Sequence, residues 1–226
     1  KIDLDAKKQE NTSFYELSRD VFSPFTGEQL FEKGRMLTRD DAEKIQNAGV
    51  VGLGGASFPT HVKLNPPKDK KAVALILNGT ECEPFITSDD RIMRERPVEI
   101  LIGAEIMMKV LNVDKAYVGI EENKPEAIAS MSAAAKDFKG IEVVTLKKKY
   151  PQGGEKQLID AVIGRQVPSG KLPIDVGAVV QNVATSLSIY EAVQKNKPVI
   201  DNSVTVSGHC MDVQHNYLVR VGTPVS

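Results

Sequence analysis

Apolar residues in the middle of the chain come in short runs separated by longer segments with helical spacing. The run Lys71–Asn78, "KAVALILN", is continuous and has the length of a buried strand, whereas Arg96–Asn112 has helical length and opens with Pro97 in its first turn. The same alternation continues along the chain. Further strands are predicted at 115–121, 141–147 and 176–182, and further helices at 123–138, 153–164 and 184–196.

Strands separated by helices of this length favour an α/β fold, with a mostly parallel sheet covered by helices on both faces. Ligands of such sheets bind beyond the carboxyl ends of the strands. Three segments are predicted: a polar N-terminal extension at 1–37, the α/β core at 38–200, and the beginning of a truncated β-rich domain at 201–226. The last prediction rests on the alternation of apolar and polar residues in "SVTVSGH".

Composition narrows the class of protein. The 226 residues are 41% hydrophobic and carry a net charge of -1, so no overall positive charge attracts nucleic acid or acidic lipid. Cys82 and Cys210 lack cluster spacing, which argues against a disulfide scaffold, a zinc site or an iron-sulfur centre in this segment and favours a reducing cytoplasm. The apolar run 98–111 contains charged residues and is too short to span a bilayer. A start without methionine and an end within strand-like sequence predict a fragment.

The first candidate motif is the glycine-rich stretch Gly49–Leu64, "GVVGLGGASFPTHVKL". Glycines let backbone N–H groups approach a ligand, and Lys63 offers a compact charge suited to phosphate. The pattern is neither a Walker loop nor a Rossmann GxGxxG. Two interpretations remain open, a phosphate or nucleotide site and a tight turn followed by an exposed lysine.

The second motif, "NGTECEPFITSDDR" at 78–91, begins where a predicted strand ends. Its carboxylates could bind a divalent metal through oxygen ligands, or the hydroxyls of a sugar; they are Glu81, Glu83, Asp89 and Asp90. A solvated acidic loop is the alternative interpretation. Its position after a strand favours a functional role.

Two further motifs lie at element boundaries. In "YPQGGEKQL", Gly153 and Gly154 lead into a predicted helix whose N-terminus could face an anion, with Glu155 in its first turn. An ordinary helix start is the alternative. In "QNVAT" at 181–185, amide side chains follow a strand, and a flat heterocycle is one way to pair such amides when they are buried.

In this order and spacing, the four motifs resemble the flavin-binding core of the C subunit of the Rnf electron-transport complex, which is itself similar to the flavin subunit of respiratory complex I. The likeness covers about 38–207. It implies a Rossmann-like core that binds FMN noncovalently and NAD(H), with hydride passing between them, in an NADH-linked flavoprotein oxidoreductase. It also implies an ion-translocating ferredoxin:NAD oxidoreductase, peripheral on the inner, cytoplasmic face of the membrane, whose other subunits are partners and in which ferredoxin is an indirect one.

The resemblance also implies binding roles for individual residues. The FMN contacts would be Gly52, Gly54, Gly55, Lys63, Asn78, Thr80, Glu81, Gly154, Gln181 and Asn182. The NAD(H) contacts would be Phe58, Lys63, Glu83 and Glu155. Because the flavin performs the hydride chemistry, no catalytic side chain and no metal ligand is assigned.

Residues 201–226 would, by the same resemblance, begin a β-grasp (SLBB-like) domain, and iron-sulfur clusters are expected only in a C-terminal part absent from this segment. The sequence departs from the family at Ser57, where glycine is common. Three alternatives stay open. They are a cobalamin reductase of the same family, a metal-dependent phosphoryl-transfer enzyme using the four carboxylates with Lys63, and a scaffold that has lost its cofactor.

Overall fold

The structure is a computed structural model that describes residues 21–22, 29–31, 39–53 and 57–225. Near the start of the chain, β1 (Val21–Phe22) and β2 (Gln29–Phe31) form an antiparallel pair. The other residues of the predicted N-terminal extension lie outside the described ranges, so its limit at residue 37 stays a prediction.

Four parallel strands form the central sheet, as the alternating pattern predicts. They are β3 (Ala74–Gly79), β4 (Ala116–Glu121), β5 (Ile141–Leu146) and β6 (Ala178–Asn182), and their spatial order is β5-β4-β3-β6. β3 therefore lies at the point where the strand order changes direction, with β4 on one side and β6 on the other. In such sheets a crevice forms at this point, beyond the carboxyl ends of the strands.

Helices cover both faces of this sheet, which confirms the predicted α/β class. Their bounds are α1 (Arg39–Asn47), α2 (Thr60–Lys63), α3 (Ser88–Glu95), α4 (Pro97–Leu111), α5 (Pro125–Ala135), α6 (Glu155–Ile163) and α7 (Val183–Lys195). Successive side chains of a strand point to opposite faces. Leu75 and Leu77 of β3 accordingly join the larger core, with α4 and α7, whereas Ile76 packs with Leu158 and Ile159 of α6.

Helix ends follow local sequence signals. α4 begins at Pro97, and Asn112 ends it in the left-handed conformation. α4 and α7 cross so closely that a Cβ added at Gly103 would lie 1.9 Å from the carbonyl oxygen of Ser186. The hydroxyl of Ser186 donates a hydrogen bond to the carbonyl oxygen of Ile100 at 2.7 Å. This contact fixes the layer that supports β3 and β6.

After the core, β7 (Asp201–Val206) and β8 (His215–Arg220) form a separate antiparallel pair. Asn216 and Thr205 from this pair hydrogen-bond Thr87, the residue that precedes α3. The Thr87 N–H donates to the Thr205 hydroxyl at 3.0 Å, and the Asn216 side-chain amide donates to the Thr87 carbonyl oxygen at 3.1 Å. The domain boundary predicted at 201 and the assignment of these strands to a β-grasp domain stay predictions.

None of the described helices combines the length and the apolar character that crossing a bilayer requires.

Candidate functional site

The motifs that begin at Asn78, Tyr150 and Gln181 meet at one edge of the parallel sheet. We call this the carboxyl edge; it consists of the carboxyl ends of β3, β4 and β6 together with the start of α6. Asn78 and Asn182 are paired in register on β3 and β6. The side-chain amide of Asn78 donates a hydrogen bond to the carbonyl oxygen of Gly153 at 2.9 Å. The amide of Asn182 donates to the carbonyl oxygen of Asn78 at 3.4 Å. Direct hydrogen bonds thus connect residues from motifs that are far apart in sequence.

Lys63 brings the glycine-rich motif to the same edge. Its Nζ donates to Glu155 Oε1 at 2.8 Å and to the carbonyl oxygen of Val180 at 3.0 Å. The side chains of Lys63 and Glu155 are 32% and 40% exposed, so this ion pair remains open to solvent. It holds α2 against α6 and β6 while leaving both charges accessible to a ligand.

The glycine-rich loop closes on itself beside Lys63. The Gly52 N–H donates to the carbonyl oxygen of Phe58 at 3.3 Å, and the Ser57 N–H donates to that of Gly52 at 3.2 Å. Ser57 has a φ of +52°, in the left-handed region that favours glycine. A Cβ added at Gly52 would meet no atom within 4 Å. The predicted contacts Gly54 and Gly55 lie outside the described residues.

The turn after β3 is organised by Asn78. Its Oδ1 accepts hydrogen bonds from the backbone N–H of Thr80, at 3.1 Å, and from the Thr80 hydroxyl. A Cβ added at Gly153 would lie 2.5 Å from the carbonyl oxygen of Thr80, so only glycine fits at 153. Sequence reasoning placed a ligand contact at Gly154 and missed the structural demand at Gly153. The sequence signal was present, since both glycines precede the helix.

The acidic stretch is not a loop throughout, because α3 begins at Ser88. Glu81 explains this helix start. Its carboxylate accepts hydrogen bonds from the backbone N–H groups of Asp89, at 2.9 Å, and Asp90, at 3.2 Å. Lys124 lies 3.5 Å from the same carboxylate. An anion at a helix N-terminus satisfies unpaired N–H groups and interacts favourably with the helix dipole.

These contacts occupy carboxylates that a metal-dependent phosphoryl-transfer enzyme would need as metal ligands. Glu81 is engaged at the start of α3, and Asp90 pairs with Arg94 at 3.5 Å. Within the described parts of the chain, no three His, Cys, Asp or Glu side chains cluster as metal ligands. The carboxylates of the motif therefore do not form the oxygen ligand set that the alternative requires.

Aromatic and acidic side chains are exposed around this edge. Phe58 is 48% exposed and Phe85 82% exposed, and Glu83 is also exposed. Phe85 has a φ of +68°, which is unusual for a bulky residue. Phe58 and Glu83 were predicted as NAD(H) contacts, and their exposure leaves both accessible. Phe85 was missed, although an apolar residue within an acidic motif was a signal.

Two buried polar atoms at this edge lack hydrogen-bond partners among the described residues. Gln181, 5% exposed, has its side-chain Nε2 without a hydrogen-bond partner among the described residues, and the same holds for Oε1 of Glu121, 1% exposed. These residues lie at the ends of β6 and β4. Glu121 was not predicted as a site residue, although a charged residue ending an apolar strand was a signal. Burial raises the pKa of the Glu121 carboxyl.

Asp89 links α3 to β6. Its Oδ2 accepts a hydrogen bond from the side-chain amide of Asn182 at 2.7 Å, and Asn182 Oδ1 accepts one from the Ala184 N–H at 2.7 Å, which caps α7. Burial, together with the negative charges of Glu81 and Glu83, raises the pKa of Asp89 to about 7. The hydrogen bond from Asn182 and the charge of Lys124 act on this pKa in the opposite direction. The site thus holds a carboxyl that titrates near neutral pH.

Comparison with known proteins adds a family to this geometry. The sequence model of the family described as "Nuo51 FMN-binding domain" matches residues 45–191, which include α2, the parallel sheet and all but the last four residues of α7. The chain is 54% identical over 179 residues to the C subunit of the "Proton-translocating ferredoxin:NAD(+) oxidoreductase complex" of Clostridium ljungdahlii, covering 79% of this chain and 39% of that protein.

Two other relatives give the same picture. The chain is 44% identical over 188 residues to the C subunit of the "Na(+)-translocating ferredoxin:NAD(+) oxidoreductase complex" of Acetobacterium woodii, covering 81% of this chain and 42% of the relative. It is 42% identical over 207 residues to the C subunit of an "Ion-translocating oxidoreductase complex" of Haemophilus influenzae, covering 92% and 30%. The chain therefore spans well under half the length of these relatives.

Solved structures agree on the fold. The chain superposes with a TM-score of 0.57 on a chain of an "NAD+-reducing [NiFe]-hydrogenase" in the H2-reduced state, at 24% identity, covering 68% of this chain and 30% of that one. The air-oxidised form of that hydrogenase gives the same TM-score at 25% identity.

Proposed function

Because the chain belongs to the family of the Nuo51 FMN-binding domain, we propose that its carboxyl edge binds FMN noncovalently and takes electrons from, or gives them to, NAD(H). The larger assembly would be an ion-translocating ferredoxin:NAD oxidoreductase, as the names of the Clostridium and Acetobacterium relatives state for those proteins. Since the chain spans only part of those relatives, the activity of the whole complex is a proposal. The binding of NAD(H) is also a proposal, because the family description names FMN alone.

The observation that carries this proposal is the buried amide of Gln181. Leaving a buried donor without a partner costs about 1–3 kcal/mol, so such a group is typically satisfied by ordered water, an ion or a ligand when no side chain or backbone group is near. Nε2 of Gln181 lies at the end of β6, beside the edge where Lys63 donates to Val180. A flavin offers ring oxygens and nitrogens, ribityl hydroxyls and phosphate oxygens, all of which can accept from an amide donor.

The other residues of the edge fit an anionic, planar cofactor. Lys63, partly exposed beside Glu155, would favour the negative charge of FMN. Asn78 and Thr80 hold the turn that would face it, and Glu81 would act by fixing that turn through α3. The remaining proposed FMN contacts are Gly52, Gly54, Gly55 and Gly154. Asn182 would act on the cofactor by holding the ends of β3 and β6 through its hydrogen bonds to Asn78 and Asp89.

NAD(H) would use the exposed side of the same edge. Phe58 presents an accessible ring that can stack on a base, and Glu83 and Glu155 present carboxylates that can accept from ribose or amide groups. Bound FMN would supply the hydride chemistry. The chain would align the two ligands and partly exclude water, and no side chain is assigned an acid or base role.

The proposal also includes protein partners. Other subunits of a membrane-bound electron-transport complex would dock on this chain, which would lie peripherally on the inner face of the membrane. Ferredoxin would exchange electrons with it indirectly. Iron-sulfur clusters would belong to parts of the relatives that this chain does not match.

Reconstitution with FMN tests the proposal. The purified chain is incubated with FMN, passed through gel filtration and examined by visible absorbance, after which NADH is added without oxygen. We expect flavin bands that stay with the protein and bleach with NADH. Bands that remain unbleached would remove NAD(H) from the proposal, and protein that leaves the column colourless would remove FMN.

The variant Gln181→Met tests the observation that carries the proposal. Methionine has a similar shape and no donor, so removing the unpaired group should raise the thermal unfolding temperature of the ligand-free protein. The same variant should weaken FMN binding by about tenfold, because one charge-assisted or buried hydrogen bond is lost. An affinity equal to wild type in a fluorescence titration would exclude Gln181 as a ligand contact.

A further inference from the structure

Asn182 has little capacity left for a ligand, because its side chain is bonded within the protein at both ends. Its Oδ1 caps α7 through the Ala184 N–H, and its Nδ2 donates to Asp89 Oδ2 and to the carbonyl oxygen of Asn78. An amide has two donor hydrogens, and both have acceptors here. Asn182 therefore serves as a connection among α3, β3 and α7.

Asp89 and the Ala184 N–H together fix which way this amide faces. The 2.7 Å bond from Asn182 Nδ2 to the Asp89 carboxyl is shorter than the 3.4 Å bond to Asn78. The backbone N–H of Asp89 is in turn fixed by Glu81 at 2.9 Å. One carboxyl thus ties the start of α3 to the ends of β3 and β6.

We propose that Asp89 is a positioning residue: through the amide of Asn182, its carboxyl fixes the ends of β3 and β6, and its protonation state sets how tightly this edge binds an anionic flavin. The inference rests on the proposed FMN site and adds a proton-linked control of affinity to it. Asp89 does not itself need to touch the cofactor.

The groups around Asp89 make its charge costly. Glu81, from the end of β3, and Glu83, from the following loop, add negative charge, and Lys124, at the start of α5, is the nearby cation. From β6 and α7 the contact is the neutral amide of Asn182. Burial and these carboxylates raise the pKa of Asp89 from 3.8 to about 7, so the group takes up or releases a proton near neutral pH.

The sign of the effect follows from linkage. A carboxyl whose pKa is higher in the folded chain than in the unfolded chain is favoured by folding when protonated, so stability falls as pH rises from about 4 towards 7. An anionic ligand near the same edge also favours the protonated, neutral form. Wild-type affinity for FMN should therefore decrease by about threefold or more between pH 6 and pH 8.

Asp89→Asn is the informative variant, because asparagine keeps an oxygen that can accept from Asn182 and stays neutral at all these pH values. Asp90→Asn is the matched control, one residue further along α3 and paired with Arg94. Titration of the FMN phosphate affects all three proteins equally and cancels between them. We expect the additional pH dependence in wild type and Asp90→Asn, and its loss in Asp89→Asn.

Thermal unfolding without ligand gives an independent measurement. Asp89→Asn should unfold at a temperature at least about 3 °C above wild type at pH 8 and close to wild type at pH 5. In wild-type protein, the NMR signal of the Asn182 side-chain amide should also titrate with a midpoint near pH 7, which requires no variant.

These outcomes separate the two proposals. If no protein binds FMN, the proposed function fails, and unfolding and NMR still decide the role of Asp89. An Asn182 amide signal that does not change between pH 5 and pH 8 would overturn the positioning role. Identical pH dependence of FMN affinity in wild type and Asp89→Asn would overturn the control of affinity.

Discussion

The two edges of the parallel sheet differ in how their polar groups are satisfied. At the amino edge, a cavity of about 540 Å³ is bordered by Lys70, Asp175 and Arg165. Lys70 and Asp175 form an ion pair at 2.7 Å, and Arg165 donates to the carbonyl oxygen of Val176. At the carboxyl edge, Gln181 and Glu121 instead hold buried polar atoms that have no partner among the described residues.

The two edges therefore give different indications of a bound ligand. Exposed ion pairs are satisfied by each other and by water, so the depression at the amino edge needs no ligand. A buried polar group without a partner lowers stability by about 1–3 kcal/mol, which makes its retention informative. The carboxyl edge is therefore the better candidate for a ligand.

Gly153→Ala should break the carboxyl edge and has the largest expected effect. Its Cβ would lie 2.5 Å from the backbone oxygen of Thr80, and backbone cannot move aside as a flexible side chain can. We expect the free energy of unfolding in urea to fall by about 2 kcal/mol, with loss of FMN retention. Gly154→Ala is the control, because its Cβ would meet chiefly the flexible end of Gln157. Equal losses in both variants would contradict the role assigned to Gly153.

Lys63→Met sharpens the contrast between the edges. Loss of the ammonium should weaken FMN binding by about tenfold or more, since a hydrogen bond to a charged group contributes about 1.5–3 kcal/mol. The partly exposed pair with Glu155 should contribute at most about 1 kcal/mol to folding. Lys70→Met removes the matching ion pair at the amino edge and should leave FMN affinity unchanged in a fluorescence titration. A parallel decrease in both variants would mean that net charge, and not position, controls binding.

The smallest effect is expected from pH at the amino edge. Lys70 lowers the pKa of the Asp175 carboxyl below its ordinary value of 3.8. A lowered pKa means that the stabilisation is present above about pH 4 and is lost as pH falls through the lowered value. Asp175→Asn should therefore lower the unfolding temperature slightly at pH 7, with the difference from wild type disappearing towards pH 3. A difference that grows on acidification would reverse this assignment.

The sequence predicted the parallel sheet closely because each strand is a short apolar run between helical segments. β5 is one residue shorter than the predicted strand at 141–147, and α4 is one residue shorter at each end than the predicted helix at 96–112. α3 was missed because "SDDR" reads as a solvated acidic loop. The helix starts where it does because the carboxylate of Glu81, seven residues upstream of Ser88, accepts hydrogen bonds from its first turn. The helix propensities of the residues in α3 do not reveal this distant cap.

The sequence predicted which motifs belong to the candidate site, but not which of their side chains contact one another. Positions at strand ends brought Asn78 and Gln181 to one edge, which the rule for parallel sheets anticipates. The pairing of Lys63 with Glu155, 92 positions apart, depends on how α2 and α6 pack. Partners of this kind are set by tertiary structure, so whether a charge is free or paired could not be deduced from sequence.

The bonds from Thr87 to Thr205 and Asn216 have a consequence for where the flavin module ends. The loop that carries Glu83 and Phe85 is anchored by strands that follow residue 200, so a shorter piece stopping there would lose that anchor. Backbone amides at the start of α3 would then exchange with deuterium faster, even with the parallel sheet intact. We therefore expect a flavin module with a fixed Glu83–Phe85 loop to include the β7–β8 pair, although the alternating pattern of those strands predicts a separate domain.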